Sequence, residues 1–415
     1  MLIKPSVLNG EINIISSKSL SHRYVIAAGL SSKKSIINNI LDSEDLTATI
    51  NALKNLNVKF EDNTIVGGYP KLINNLIDCH ESGSTLRFLI PISMLQEKEV
   101  IFKGKGNLPN RPLDVYKDLF IPKGYTFKKL EKNNLPLLVK GPLKPGLYRL
   151  SGNVSSQFIT GLLYSLPLLN NDSIIEITTL LESKGYIDLT LQVLKEFNID
   201  INYSENKYYI KGNQEYQSIN TSIEGDYSQA AFFIVAAIIN KNPLILKGLN
   251  KNSLQGDKKI IDIVKKMNAK IEFINDDLII YPSKTKGITI DLKQIPDLGP
   301  ILFVLASLSE GRTTFINAER LKIKESNRLE AMYLELKKLN ADVTLLDNGM
   351  IINGVKHFKG NVLLKTHNDH RIAMALAIAS LKADDYIILD NPYVVNKSYP
   401  NFFEDLKKLG AKIIN

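Results

Sequence analysis

Five short passages of this 415-residue chain bring hydroxyls, cations and carboxylates together just ahead of apolar helical patterns. Ser17-Lys18-Ser19-Leu20-Ser21-His22-Arg23 leads into the apolar run 24–28. Glu81-Ser82-Gly83-Ser84-Thr85-Leu86-Arg87 repeats the logic, with Gly83 permitting close backbone approach and Arg87 supplying charge. Gly152-Asn153-Val154-Ser155-Ser156-Gln157 opens a helical pattern over 158–169, and Asn368-Asp369-His370-Arg371 opens another over 372–381. Hydroxyls, free backbone amides and cations at a helix start make an anion site. Each passage alone is equally what a capped, solvated helix start would contain. The fifth, Lys322-Ile323-Lys324-Glu325-Ser326-Asn327-Arg328, has acids and bases at i, i+3 and i+4, which by spacing alone reads as a surface helix laced with ion pairs. Taken together, the passages repeat one theme in both halves of the chain: phosphates and carboxylates gathered at helix starts.

Other chemistries find less support. The chain has only five His, and His367, Asp369 and His370 have no second cluster to complete a tetrahedral metal site. There is no G-x-x-x-x-G-K-[ST] loop and no G-x-S-x-G elbow. Cys79 stands beside His80, but its apolar neighbours favour a buried structural thiol over a nucleophile.

The elements that must position these passages form a repeat. Six times an amphipathic segment ends at Asn or Gly and runs into an alternating β-type segment. The turn residues are Asn57, Gly124, Asn198, Asn268, Asn340 and Gly410, 67 to 74 residues apart. Asn and Gly tolerate the left-handed conformation that closes a helix. A unit of that length is too long for a solenoid repeat and has room for two helices and several strands. Six units predict an α/β protein of two similar three-unit domains, with the boundary around 220–225 and ligands in the cleft between them.

Composition agrees. The chain is 44% hydrophobic and 23% charged, with 52 Lys and Arg against 43 Asp and Glu. The +9 excess is spread along the sequence, which suits small anions at least as well as nucleic acid. One cysteine and no apolar leader predict a protein of a reducing compartment, and the longest apolar stretches, about ten residues, fall short of a membrane span.

Ten passages, in order along the whole chain, carry a family resemblance. They are 17–23, 82–87, Asn110-Arg111-Pro112-Leu113, Val154-Ser155-Ser156-Gln157-Phe158, Ser183-Lys184-Gly185-Tyr186-Ile187-Asp188, Glu224-Gly225-Asp226-Tyr227-Ser228, Ile295-Pro296-Asp297, 322–328, 368–371 and Asn396-Lys397-Ser398-Tyr399-Pro400. In these the chain resembles the enolpyruvyl transferases of the EPSP synthase (3-phosphoshikimate 1-carboxyvinyltransferase) family. The resemblance implies two domains of three βαβαββ units each, an inside-out α/β barrel, with residues 16–223 in one and residues 1–15 and 224–415 in the other. It implies transfer of the enolpyruvyl group of phosphoenolpyruvate to the 5-hydroxyl of shikimate 3-phosphate in chorismate biosynthesis. It further implies a cytoplasmic monomer that uses no metal or organic cofactor and has no nucleic-acid or membrane partner.

Carried over position by position, shikimate 3-phosphate is expected at Lys18, Ser19, Arg23, Ser155, Ser156, Gln157, Ser183, Asp297 and Lys324, with Arg320 a weaker match. Phosphoenolpyruvate is expected at Lys18, Gly83, Arg111, Gln157, Arg328, Arg371 and Lys397. Asp297 and Glu325 are the expected acid–base carboxylates, with Lys18 and Lys397 as catalytic cations. The pattern departs from common members at Glu81, Phe88, Arg320 and Asn327. Gly83 leaves room for glyphosate, which competes with phosphoenolpyruvate in this family. The sister enolpyruvyl transferase acting on UDP-N-acetylglucosamine typically has Lys-Asn where Lys18-Ser19 stands, and often a Cys in the loop that is 104–109 here. An RNA 3′-phosphate cyclase would want aromatic residues interleaved with basic ones. A catalytically inactive anion-binding protein of the same fold would not need Asp297, Glu325, Lys18 and Lys397.

Overall fold

The computed structural model describes residues 1–414 and divides into two compact units, Ser16–Ile223 and Met1–Ile15 with the chain from Glu224 onward. Each holds three four-stranded sheets, and all six share one pattern. A first strand lies parallel to a second, which pairs antiparallel with a third, and the third pairs antiparallel with the fourth; in every sheet but the last, the third and fourth strands form a hairpin. In the sheet built on Glu99–Lys103, Ile77 pairs with Phe102 in parallel and Val100 pairs with Val139 antiparallel. The order along the chain is strand, helix, strand, helix, hairpin.

The predicted turn residues end the second helix of every unit. Asn57, Gly124, Asn198, Asn268, Asn340 and Gly410 all have positive φ, between 60° and 108°. In each case the chain reverses into the edge strand of the sheet, such as Ile271–Ile274 after Asn268 and Lys412–Ile414 after Gly410. Three sheets are completed by remote strands. Asn220–Ser222 supplies the parallel edge for Ser35–Asn38, Gly10–Asn13 does the same for Leu244–Lys247, and Leu2–Lys4 is the third strand of the last sheet.

The first helix of each unit is apolar on nearly every face, the pattern of a helix meant to be enclosed. In the first unit, Lys18–Leu30, Gly83–Ser93 and Ser156–Ser165 are almost wholly buried. Tyr227–Ile238, Gly299–Ser307 and His370–Ser380 are buried throughout in the other. Gly161 permits the close approach of two of these helices, because a Cβ there would lie 2.4 Å from the Tyr116 hydroxyl and 2.5 Å from the Arg87 carbonyl oxygen. Within each unit the helices are enclosed and the sheets lie outside them.

Candidate active site

In the unit Ser16–Ile223, three inner helices begin at candidate residues. Ser17, Ser82 and Ser155 are their N-caps, each accepting a backbone N–H. Lys18 and Ser19 thus lie in the first turn of one helix, Gly83 in that of the second, and Ser156 and Gln157 in that of the third. Positive helix ends and side-chain cations add at the same place.

Gly83, Arg111 and Gln157 are brought together around Arg87. A Cβ on Gly83 would sit 2.8 Å from Arg111 Nη1 and 3.0 Å from Arg87 Nη1. Arg87 donates to Gln157 Oε1 at 2.7 Å and to the Pro112 carbonyl at 3.1 Å, over the Phe158 ring, and Gln157 Nε2 donates to Ser84 at 2.9 Å. Arg87 therefore orients Gln157 and the chain beside Arg111.

Lys18 Nζ lies 3.0 Å from Asp45 Oδ2. Behind it a buried chain runs from His22 Nδ1 to Thr49 at 2.8 Å, on to Thr85 at 2.6 Å and to Ser82 at 2.7 Å. Burial holds the His22 imidazole at about 3, with Lys18 and Arg23 lowering it further and Asp45 opposing them. His22 is thus neutral, a fastener rather than a cation. Arg23 is 3% exposed and ties Ser19 O, Tyr186 O and Thr190 Oγ1 together at 2.7, 2.8 and 2.9 Å. It anchors the segment after Ser183 to the start of the first helix. Ser183, fully buried, has a left-handed backbone (φ 53°), which costs a non-glycine residue about 1–3 kcal/mol.

The other unit carries the carboxylates. The surface-helix expectation for 322–328 is wrong. A 3₁₀ turn, Glu319–Ile323, is followed by non-helical chain, and the helix starts only at Arg328. The side chain of Asn327 caps that helix by accepting from Glu330 N–H, so the departure at this position keeps the cap. Arg328, 1% exposed, is gripped on three sides: Asp297 Oδ1 at 2.8 Å, Glu325 Oε2 at 2.7 Å and Asp369 Oδ2 at 2.7 Å. Lys324 Nζ adds a contact to Asp297 at 3.1 Å, Arg371 Nη2 lies 3.5 Å from Asp297 Oδ2, and Lys397 Nζ is 4.0 Å from Glu325. Asp297, Lys324, Glu325, Arg328, Arg371 and Lys397 thus form one cluster.

Sequence reading missed Asp369 as the organiser. It is fully buried, accepts twice from Arg328 and once from the Ser326 hydroxyl, and caps the helix His370–Ser380 through Arg371 N–H at 2.9 Å. The signal was available in part, since an Asp before an apolar helix is a cap. Two left-handed residues, His367 and Asn368, lead the chain into it. His367 Nε2 instead faces Glu335 at 2.9 Å.

Electrostatics divides the acids and bases. Burial raises the Asp297 carboxyl, but Lys324, Arg371 and Arg328 outweigh it and hold the group well below the usual carboxylate range. Burial lowers Lys324 to about 8, with Arg320 and Arg328 assisting and Asp297 opposing. Arg320, 8% exposed, is therefore close enough to be felt at Lys324. The thiol of Cys79 is fully buried and pushed well up by desolvation, as its apolar flanks predicted. The Glu81 carboxylate lies against Gly106, where a Cβ would be 2.2 Å from Oε1.

Six βαβαββ units in two sets of three are the fold of the enolpyruvyl transferases. The solved enolpyruvyl transferase NikO from Streptomyces tendae shares the fold at TM-score 0.82 and 16% identity, over 99% of this chain and 97% of that one. Solved EPSP synthase from Acinetobacter baumannii superposes at TM-score 0.83 and 25% identity, over 100% and 99% of the two chains. The family model of EPSP synthase (3-phosphoshikimate 1-carboxyvinyltransferase) matches residues 2–406. Proteins named 3-phosphoshikimate 1-carboxyvinyltransferase from Clostridium novyi and Clostridium acetobutylicum are 53% and 47% identical, each match covering 99% of this chain and 97% of the relative. The chain belongs to the EPSP synthase family.

Proposed function

We propose that the two clusters act on one pair of anions, phosphoenolpyruvate and shikimate 3-phosphate, and that the protein transfers the enolpyruvyl group to the 5-hydroxyl with release of phosphate. The observation that carries this reading is the pair of carboxylates, Asp297 and Glu325, held apart on one buried guanidinium and each given its own lysine. The chemistry needs two such groups, one to accept the proton of the attacking hydroxyl and one to serve C3 of phosphoenolpyruvate.

In the first step the 5-hydroxyl oxygen bonds to C2 of phosphoenolpyruvate while C3 gains a proton, giving a tetrahedral ketal phosphate. In the second, C3 loses a proton and the carbon–oxygen bond to phosphate breaks. Asp297 accepts the hydroxyl proton. In the free protein it is ionised but weakly basic, because three cations surround it. Together the substrates bring about five to six negative charges. Placed on Lys324, Arg328 and Arg371, those charges offset the cations and restore basicity to Asp297 when the hydroxyl is beside it. Glu325, with Lys397 at its side, handles the C3 proton.

Lys18, Arg111, Gln157 and the Gly83 backbone complete the phosphoenolpyruvate site, and Ser19, Ser155, Ser156 and Ser183 receive shikimate 3-phosphate. Lys324 and Arg23 meet the same ligand, with Arg320 beside Lys324. A monomer is part of the same proposal. Among the described residues no helix is long and apolar enough to cross a membrane. Replacing Asp297 with Ala tests the assignment. Turnover should fall by at least about 10² while calorimetry still detects shikimate 3-phosphate; near-normal turnover would refute it.

A further inference from the structure

The helix start that carries Arg371 has another acid behind it. Asp257 lies in the 3₁₀ turn Gly256–Lys258 and is 2% exposed. Its Oδ2 accepts from the Ser228 hydroxyl at 2.5 Å. Its Oδ1 is buried without a hydrogen-bond partner among the described residues. The carbonyl of Ser228 accepts from Arg371 Nη1 at 3.5 Å, and Arg371 Nη2 reaches Asp297. The contacts therefore run Asp257, Ser228, Arg371, Asp297.

The charges felt at Asp257 are unequal. Asp297 and Asp226, the latter capping the helix Tyr227–Ile238, are acids; Arg371 is the cation that opposes them. On its own element, Lys259 pairs with Asp262 and Lys258 donates to the Lys251 carbonyl. When an anion occupies Arg371, the cation that balances Asp257 is taken up by the newcomer. A bare carboxylate oxygen out of water is then worse placed than a neutral acid.

We propose that Asp257 is a positioning residue whose carboxyl becomes partly protonated from solvent as an anion docks on Arg371, so that Ser228 and Arg371 keep their arrangement with ligand bound. The proton forms an O–H bond on the Asp257 carboxyl and no other bond changes. Burial and the neighbouring Asp297 already raise this carboxyl to about 6, so a modest further push brings it across neutrality. That the anion is phosphoenolpyruvate rests on the function proposed above; the proton uptake itself does not.

The test is calorimetry at about pH 7 in two buffers of different ionisation enthalpy. Phosphoenolpyruvate is titrated into protein holding shikimate 3-phosphate, and inorganic phosphate into protein alone. Wild type should take up roughly half a proton more than Asp257→Asn for the same anion. Equal uptake in the two proteins overturns the proposal, and a purely structural role for Asp257 would not move the proton count. If Asp257→Asn does not fold, the ¹³C carboxyl signal of Asp257 in wild type decides. It should titrate near 6 and move upward on adding either anion; a signal unmoved by both overturns the proposal. Failure of wild type to release phosphate from the substrate pair would refute the proposed function, while the inorganic phosphate arm still decides the role of Asp257.

Discussion

Replacing Asp369 with Asn removes one negative charge from the buried side of Arg328 and almost nothing else. The amide keeps the size of the carboxylate and can still cap His370–Ser380 through Arg371 N–H. What it cannot do is accept from both Nε and Nη2 of Arg328, which now lie 2.7 and 3.2 Å from the two Asp369 oxygens. Breaking a buried ion pair on one side costs about 3–5 kcal/mol. Asp297 and Glu325 still neutralise the guanidinium, so the lower figure, about 3 kcal/mol, applies. At roughly 2–4 °C per kcal/mol for a unit of this size, the melting temperature should fall by about 6–12 °C. Arg328, released at the rear, should move toward Asp297 and Glu325 and away from its place for phosphoenolpyruvate. A displacement near 1 Å can cost about 10² in kcat/KM. Calorimetric melting and steady-state phosphate release measure the two effects. A fall below about 2 °C together with unchanged kcat/KM would refute Asp369 as the organiser of the site.

Three further outcomes follow from the same geometry. Lys324 is a cation below about 8, so in the free enzyme kcat/KM for shikimate 3-phosphate should decline as pH rises through that value; Lys324→Met, measured across the same range, should be weak throughout and lack that limb. Gly83→Ala would set a methyl 2.8 Å from Arg111 Nη1, and should raise KM for phosphoenolpyruvate by about tenfold or more and weaken glyphosate inhibition, with little change in the affinity for shikimate 3-phosphate. An unchanged KM would mean that Arg111 yields freely. Cys79 should resist thiol reagents in the native protein and react at once in denaturant, since the thiol is buried and protonated; fast native labelling would contradict the burial.

Much of this molecule can be read in its sequence, for reasons that differ from part to part. The six Asn and Gly turns are local: a positive φ after an amphipathic helix needs those residue types and nothing distant. The helix starts at Ser17, Ser82 and Ser155 are local too, because a capping hydroxyl and its helix are adjacent in the chain. Completion of sheets by Leu2–Lys4, Gly10–Asn13 and Asn220–Ser222 depends on partners far along the chain. Only the family resemblance pointed to such crossovers. The segment 322–328 misled because i, i+3 and i+4 charges also occur where a chain turns into a buried site. Asp257 gave no sign at all, since its burial depends on Ser228, Arg371 and Asp297 arriving from three other elements.

The most direct test of the account is the choice of acceptor. Purified protein is given phosphoenolpyruvate with either shikimate 3-phosphate or UDP-N-acetylglucosamine, and inorganic phosphate and the enolpyruvyl product are measured. Phosphate and enolpyruvyl product are expected with shikimate 3-phosphate alone. Release with the UDP-sugar alone, or with neither acceptor from folded protein, would contradict it.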